Sequence, residues 1–143
     1  MKKISFILVA ILFFSCKKEV VVSDIPSIEF KLIAPTTAQE YTHDIIITIS
    51  YTDENGDLGE NNPDVFNLFV KDSRNDIEYK FRIPELSPNG NDITIQGNFN
   101  ITINGSGITD GSSNQKVNYA VYVKDRAGNK SNTITTSNIT IHQ

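Results

Sequence analysis

The sequence predicts an all-β protein, a sandwich of two antiparallel sheets built from seven strands. Apolar and polar residues alternate with period two from Ser27 onward, and no segment shows sustained helical periodicity. β-branched and aromatic residues are enriched between short turn-forming stretches. Strands with one apolar face pack face to face, so this pattern favours packed antiparallel sheets over a parallel sheet covered on both sides.

The first element is a leader over residues 1–15, which ends directly before Cys16, the only cysteine. Lys2 and Lys3 give it a charged start. The apolar run from Ile4 to Phe14 has the length of a secretory h-region but is too short to span a membrane. Ser15 supplies a small residue before the cysteine. We therefore expect the leader to be removed and Cys16 to be lipidated.

This leader resembles the lipobox of bacterial signal peptidase II substrates, in which the cysteine becomes the acylated first residue. The form Phe13-Phe14-Ser15-Cys16, followed by Lys17-Lys18-Glu19, is similar to lipoproteins of the Bacteroidota. The resemblance implies an outer-membrane lipid anchor, on the periplasmic face or at the cell surface, with the membrane as a partner. The alternative is an ordinary signal peptide cut elsewhere, but Phe13 and Phe14 suit a small-x-small cleavage site poorly.

Composition describes the chain that follows the leader. Residues 16–26 read as a lipidated cysteine and tether, and residues 27–143 are enough for one domain. Loss of Lys2 and Lys3 leaves 11 basic against 17 acidic side chains, a formal net charge of −6. This balance argues against nucleic acid as a partner, because phosphate binding needs clustered Lys and Arg. A single cysteine also excludes an intramolecular disulfide.

The seven predicted strands are separated by loops rich in Asp, Asn, Gly, Ser and Pro. Residues 72–76 predict a short hairpin loop, and Pro88 with Asn89-Gly90 marks a longer one. The strands are predicted at 27–33, 44–52, 65–72, 77–83, 93–103, 116–124 and 132–141.

The last part of the chain carries a sharper resemblance. The segment from Tyr119 to Ser131, an alternating Tyr/Val strand that leads into Asp125-Arg-Ala-Gly128-Asn129, is similar to bacterial immunoglobulin-like and fibronectin type III-like modules. The resemblance implies a seven-stranded Ig-like sandwich. It also implies that Tyr119 forms a tyrosine corner, with its hydroxyl bonded to the backbone. It does not indicate a function.

One turn predicts a candidate calcium site. Asp53, Asn55 and Asp57 alternate like the first ligands of a calcium-binding loop. An EF-hand is excluded, because Leu58 replaces the required glycine and no helices flank the turn. A shorter calcium loop within a β-module remains, and a solvated acidic turn is the alternative. The turn is also similar to one in small uncharacterised lipoproteins of the Bacteroidota.

Strand order adds more distant residues to this candidate site. Loops alternate between the two ends of an antiparallel sandwich, so the turn at 125–131 should lie beside the loop at 53–64. We therefore expect Asp125 and Asn129 to join Asp53, Asn55 and Asp57. Several carboxylates repel one another unless a cation lies between them, which favours Ca²⁺ as a structural ion.

The sequence predicts no enzyme. His43 and His142 belong to no metal-binding or nucleophilic motif, and no tryptophan is present to stack a sugar ring. The leading hypothesis is a non-enzymatic, membrane-anchored binding or structural module of the cell envelope. Phe69, Tyr79 and Tyr122 are its candidate solvent-facing binding residues. The alternative is a carbohydrate-binding accessory lipoprotein of a glycan-uptake system, so the expected partner is an envelope protein or a glycan.

Overall fold

The computed structural model describes residues 22–87 and 93–143. The leader, Cys16 and the first part of the tether lie outside the described residues, as do Pro88 and Asn89-Gly90 of the predicted loop. The described chain consists of strands and loops, and no helix in it is long and apolar enough to cross a membrane. The strands are β1 (Ser27–Ala34), β2 (Thr37–Gln39), β3 (Ile45–Asp53), β4 (Leu68–Asp72), β5 (Glu78–Phe81), β6 (Ile95–Ile103), β7 (Asn114–Val117), β8 (Tyr119–Val123), β9 (Ile134–Thr135) and β10 (Ile139–His142).

The strands form three sheets, an all-β arrangement that is consistent with a sandwich. One sheet has the order β1-β3-β6, a second β5-β4-β8-β9 and a third β2-β10-β7. Every pairing is antiparallel except that of β2 with β10, which is parallel. Only Asn118 separates β7 from β8, so the chain passes directly from the third sheet to the second.

The predicted alternation fills one apolar core with residues from all three sheets. In β8 and the end of β7, Val117, Tyr119, Val121 and Val123 are all buried, as the alternating pattern predicts. Ile45, Ile47 and Ile49 of β3 point into the same core. Burial of a large aliphatic side chain contributes about 1.5–3 kcal/mol, so this core supplies stability that no disulfide provides.

The prediction of seven strands undercounts the described chain, which has ten. Residues 116–124 and 132–141 were each predicted as one strand, and each is divided between two sheets. At the division the Tyr119 amide donates to the Thr136 hydroxyl (3.0 Å), and the Thr136 amide donates to the Tyr119 carbonyl (2.9 Å). A side-chain hydroxyl thus replaces one ladder bond, and period-two alternation alone gives no sign of it.

Two further expectations fail for local reasons. The short strand β2 was not predicted, and its parallel pairing with β10 departs from an entirely antiparallel sandwich. The tyrosine corner is not formed, because the buried Tyr119 hydroxyl has no hydrogen-bond partner. The nearby Ser106 hydroxyl opposes the rise in the pKa of Tyr119, but the two hydroxyls do not form a well-aligned hydrogen bond.

Candidate functional site

The loop after β3 and the turn after β8 lie against each other, as strand order predicts. The Arg126 amide donates to the Asp57 carbonyl (3.2 Å), and the Arg126 guanidinium donates to the Gly59 carbonyl (3.1 Å). Gly59 has a φ of 98°, and a β-carbon there would lie 2.2 Å from the Pro84 carbonyl oxygen, so only glycine fits. We call Asp53, Asn55, Asp57, Asp125 and Asn129 the acidic loop cluster.

Asp53 is the deepest member of this cluster. It is the last residue of β3, it follows the inward parity of Ile45, Ile47 and Ile49, and it has no exposed surface. Its Oδ2 accepts a hydrogen bond from the Leu58 amide (2.7 Å), which closes the loop. Its Oδ1 is buried without a partner. A core position is thus occupied by a carboxylate with one unused oxygen.

Asn55 and Asp57 add two more oxygens of the same kind. The Oδ1 atoms of both residues are buried and have no hydrogen-bond partner. Buried polar atoms are nearly always bonded in folded proteins, and an unbonded one costs roughly 1–3 kcal/mol. Three unpartnered oxygens, from Asp53, Asn55 and Asp57, therefore occur within five consecutive residues.

The electrostatics of the cluster are those of crowded carboxylates. Burial raises the pKa of Asp53, the Leu58 amide opposes the rise, and the charges of Asp57 and Asp125 raise it further. Burial and then the Asp125 charge raise the pKa of Asp57, against the Ala127 amide, Arg126 and Asn55. Negative charge is thus disfavoured here unless a positive charge compensates it.

Asp125 and Asn129 play a different part from the three loop residues. The Asn129 backbone amide donates to Asp125 Oδ1 (2.7 Å), and the Asn129 side-chain amide donates to Asp125 Oδ2 (2.9 Å). The same side-chain amide also donates to the Asp24 carbonyl (3.0 Å). Asn129 therefore orients Asp125 and holds the backbone at Asp24, near the start of the described chain, and it presents its side-chain NH₂ group, not its oxygen, to the Asp125 carboxylate.

The geometry stops short of a preformed metal centre. Within residues 22–87 and 93–143, no three or more His, Cys, Asp and Glu side chains are arranged to hold a metal ion as they stand. The unpartnered oxygens come from two carboxylates and one amide, and Asp125 is bound to Asn129. The arrangement offers hard oxygen donors only, which suit Ca²⁺ or Mg²⁺ rather than zinc.

The three predicted binding residues do not share one exposed face. Phe69 and Tyr122 are cross-strand partners on the outer side of their sheet, stacked with ring centroids 4.8 Å apart. Phe69 is only 8% exposed, which differs from the expectation that it faces solvent. Tyr79 pairs with Val70, whose side chain is in the core, and it packs against that core. Tyr79 therefore lies on the core-facing side of its strand, whereas the sequence predicts it on the solvent-facing side.

Lysines surround the stacked pair. The Lys130 ammonium lies 3.9 Å from the Tyr122 ring centroid, and that of Lys124 lies 5.5 Å from the Phe69 centroid. Lys80 is the cross-strand partner of Phe69 on its other side. We call Phe69, Tyr122, Lys80, Lys124 and Lys130 the lysine–aromatic face.

One buried ion pair had no signal in the sequence. Arg74 forms a two-point salt bridge with Asp72, with Nη2 to Oδ2 at 2.7 Å and Nε to Oδ1 at 3.0 Å. Their side chains are 6% and 0% exposed. Arg74 also donates to the Gly107 carbonyl (2.7 Å) and the Ser106 hydroxyl (2.9 Å). The pair connects the β4–β5 hairpin to the loop after β6, which is a structural role.

Comparisons with protein-family models, with curated proteins and with solved structures find no match to this chain.

Proposed function

We propose that this chain is a non-enzymatic, lipid-anchored module of the cell envelope that binds an acidic partner through its lysine–aromatic face. The anchor is proposed from the leader and Cys16 in the sequence. The non-enzymatic part is supported by the two histidines, which are engaged locally. His43 Nδ1 accepts from the Gln39 amide (3.0 Å), and His142 Nδ1 lies 2.7 Å from the Gln143 carbonyl.

The domain that presents this face is proposed to be immunoglobulin-like. In that fold, strands A, B and E share one sheet, while C, F and G share the other and C′ adds beside C. The orders β1-β3-β6 and β5-β4-β8-β9 support the same assignment, with A-B-E on one side and C′-C-F-G on the other. Domains of this architecture present binding surfaces on sheet faces and on end loops, which is compatible with a binding module.

The observation that carries the binding proposal is a cross-strand lysine pair above a stacked aromatic pair. Lys124 and Lys130 oppose each other across a β-bridge, and both are exposed. Like charges directly opposite on a sheet are unfavourable. In the described chain, neither ammonium nor that of Lys80 lies within ion-pair distance of a carboxylate. Cations concentrate here although the full sequence has a formal net charge of −4, so an anionic partner would stabilise this face.

A second candidate function is the carbohydrate-binding accessory, with an acidic sugar chain as ligand. The specific observation is the half-exposed Tyr122 ring, whose hydroxyl donates to Glu78 (3.1 Å) and whose face lies under Lys130. An aromatic ring beside ammonium groups can contact a sugar ring and its carboxylate together. An acidic protein would use the lysines and leave the ring as packing.

The test is binding of the full-length protein, in non-ionic detergent, to immobilised acidic polymers at low and at moderate salt. The panel contains a carboxylated polysaccharide, a neutral polysaccharide and poly-glutamate. Lys124→Gln/Lys130→Gln is the test variant. Lys116→Gln is the matched control, because Lys116 is an exposed strand lysine in the third sheet.

The proposal expects acidic polymers to bind the wild type and the control, and the double variant to lose at least tenfold in affinity. Binding of the wild type to the acidic polysaccharide alone would favour the carbohydrate-binding candidate. Binding to poly-glutamate would favour an acidic protein as the partner. If no acidic polymer binds, or if the control loses as much as the double variant, the lysine–aromatic face is not a binding surface.

A further inference from the structure

We propose that the acidic loop cluster binds one Ca²⁺ ion, with Asp53, Asn55 and Asp57 as side-chain oxygen ligands and Asp125 as the fourth ligand. This inference does not depend on the lysine–aromatic face, which lies on the outer side of a sheet. The two proposals can therefore fail separately.

The first argument is the set of unused oxygens. Asp53 is fully buried, one of its oxygens is fixed by the Leu58 amide, and the other has no partner. The Oδ1 atoms of Asn55 and Asp57 are buried in the same condition. Each such atom in a folded protein calls for an explanation, and here three of them lie within one loop. A cation that accepts six to eight oxygen ligands would satisfy all three at once.

The second argument is the local charge. Asp53, Asp57 and Asp125 are close enough to influence one another electrostatically. In the described chain the Arg126 guanidinium acts on Asp57, and it is already engaged by the Gly59 carbonyl and by Glu85, whose carboxylate lies 3.6 Å away. The charge of Arg126 is thus shared with groups outside the three carboxylates. A divalent ion between the carboxylates would attract each of them and so outweigh their mutual repulsion.

The donor set also selects the kind of ion. All the candidate ligands are carboxylate or amide oxygens, and zinc and copper prefer nitrogen and sulfur. The ligands come from an irregular loop and a distant turn, which suits the flexible coordination of Ca²⁺. Mg²⁺ demands a near-ideal octahedron and keeps most of its water, so a buried set of protein oxygens suits it less well.

Calcium in this position would join three segments of the chain. The loop after β3 supplies Asp53, Asn55 and Asp57, and the turn after β8 supplies Asp125. The start of the described chain is attached to both segments, because the Ser23 amide donates to Glu54 (2.6 Å) and Asn129 donates to the Asp24 carbonyl. The ion would therefore stiffen the end of the domain from which the tether leaves.

The test is calorimetric titration of CaCl₂ into chelator-treated, full-length protein in non-ionic detergent, with MgCl₂ titrated in parallel. The proposal expects one saturable site per chain for calcium and binding at least tenfold weaker for magnesium. Asp57→Asn should weaken calcium binding at least tenfold, and so should Asp125→Asn. Asp53→Asn is a less secure test, because Asp53 also closes its loop through the Leu58 amide.

Asp44→Asn is the matched control, because Asp44 is exposed and directly precedes β3, at the opposite end of that strand from Asp53. Its calcium affinity should stay within twofold of the wild type. The calcium proposal is overturned if no saturable heat appears at millimolar calcium. It is equally overturned if Asp44→Asn weakens binding as much as Asp57→Asn and Asp125→Asn.

Discussion

Four side-chain oxygens are buried without a hydrogen-bond partner in the described part of the chain, and they separate into two classes. Three belong to Asp53, Asn55 and Asp57 in one acidic loop, and the fourth is the Tyr119 hydroxyl in the apolar core. A cluster of acceptors is a place for a cation, whereas an isolated hydroxyl is only a local loss of stability. The two classes differ in their surroundings, since the loop oxygens lie near other acceptors and the Tyr119 hydroxyl lies among apolar side chains.

Much of the acidic loop cluster was predictable at the level of single residues. The alternation of Asp53, Asn55 and Asp57 indicated the three oxygens, and strand order indicated Asp125. The burial of Asp53 also had a signal, since it shares the parity of Ile45, Ile47 and Ile49. The donor role of Asn129 had none, because the orientation of an amide depends on the neighbours that folding brings to it.

Tyr119 supplies the first prediction, for Tyr119→Phe. Burial raises the pKa of Tyr119 to about 12, from about 10 in an unfolded chain. A raised pKa means that the neutral hydroxyl stabilises the fold below pH 10, and that this stability is lost as the pH rises from about 10 to 12. At pH 11 the loss should be about 1.4 kcal/mol in the wild type, because pH 11 lies one unit above the unfolded pKa, and it should be smaller in Tyr119→Phe.

Urea unfolding at pH 7 and at pH 11 measures the loss of stability with pH in the wild type and in Tyr119→Phe. At pH 7 the variant should be as stable as the wild type or more so, because the change removes an unpartnered buried hydroxyl. Tyr122→Phe is the control, since Tyr122 is half-buried on the outer face. A loss of more than 1 kcal/mol by Tyr119→Phe at pH 7 would mean that the hydroxyl makes a hydrogen bond after all.

At the scale of strands, alternation located most elements but not their division between sheets. The predicted strand at 27–33 is observed as β1 (Ser27–Ala34), and the one at 44–52 as β3 (Ile45–Asp53). The last two predicted strands are divided because a Thr136 hydroxyl replaces a ladder bond. Period two reports which face a residue occupies, and it carries no information about which sheet the strand joins.

The β4–β5 hairpin supplies the element-scale prediction, because it carries two ion pairs of different burial. Arg74 and Asp72 are buried, whereas the side chains of Lys71 and Asp76 are 49% and 97% exposed. Arg74→Met leaves a buried, unpaired carboxylate and should cost about 3–5 kcal/mol. Lys71→Met removes an exposed pair and should cost no more than about 1 kcal/mol.

Urea unfolding of the two variants, with the wild type in the same buffer, gives the comparison. Asp72→Leu/Arg74→Met should recover part of the loss, because it replaces both partners of the pair by apolar groups. Equal costs for Arg74→Met and Lys71→Met would contradict the assignment of Arg74 as the residue that connects the hairpin to the loop after β6.

At the scale of the whole molecule, composition and strand order together determine where charge collects. The chain is acidic overall, yet the lysine–aromatic face carries cations, and the acidic loop cluster lies beside Asp24, near the start of the described chain. Composition predicted the net charge but not this separation. The reason is that Lys80 and Lys124 come to the same sheet face only through the pairing of β4 with β5 and β8.

Thermal unfolding of the full-length protein, in excess chelator and in millimolar calcium, is the most direct test of the account. An ion that binds only the folded state stabilises it by about 2.7 kcal/mol at a hundredfold excess over Kd, a rise in midpoint of roughly 5–15 °C. The account predicts this rise with calcium, and a smaller rise both with magnesium and, in calcium, for Asp57→Asn. Equal midpoints in calcium, in magnesium and in chelator would contradict it.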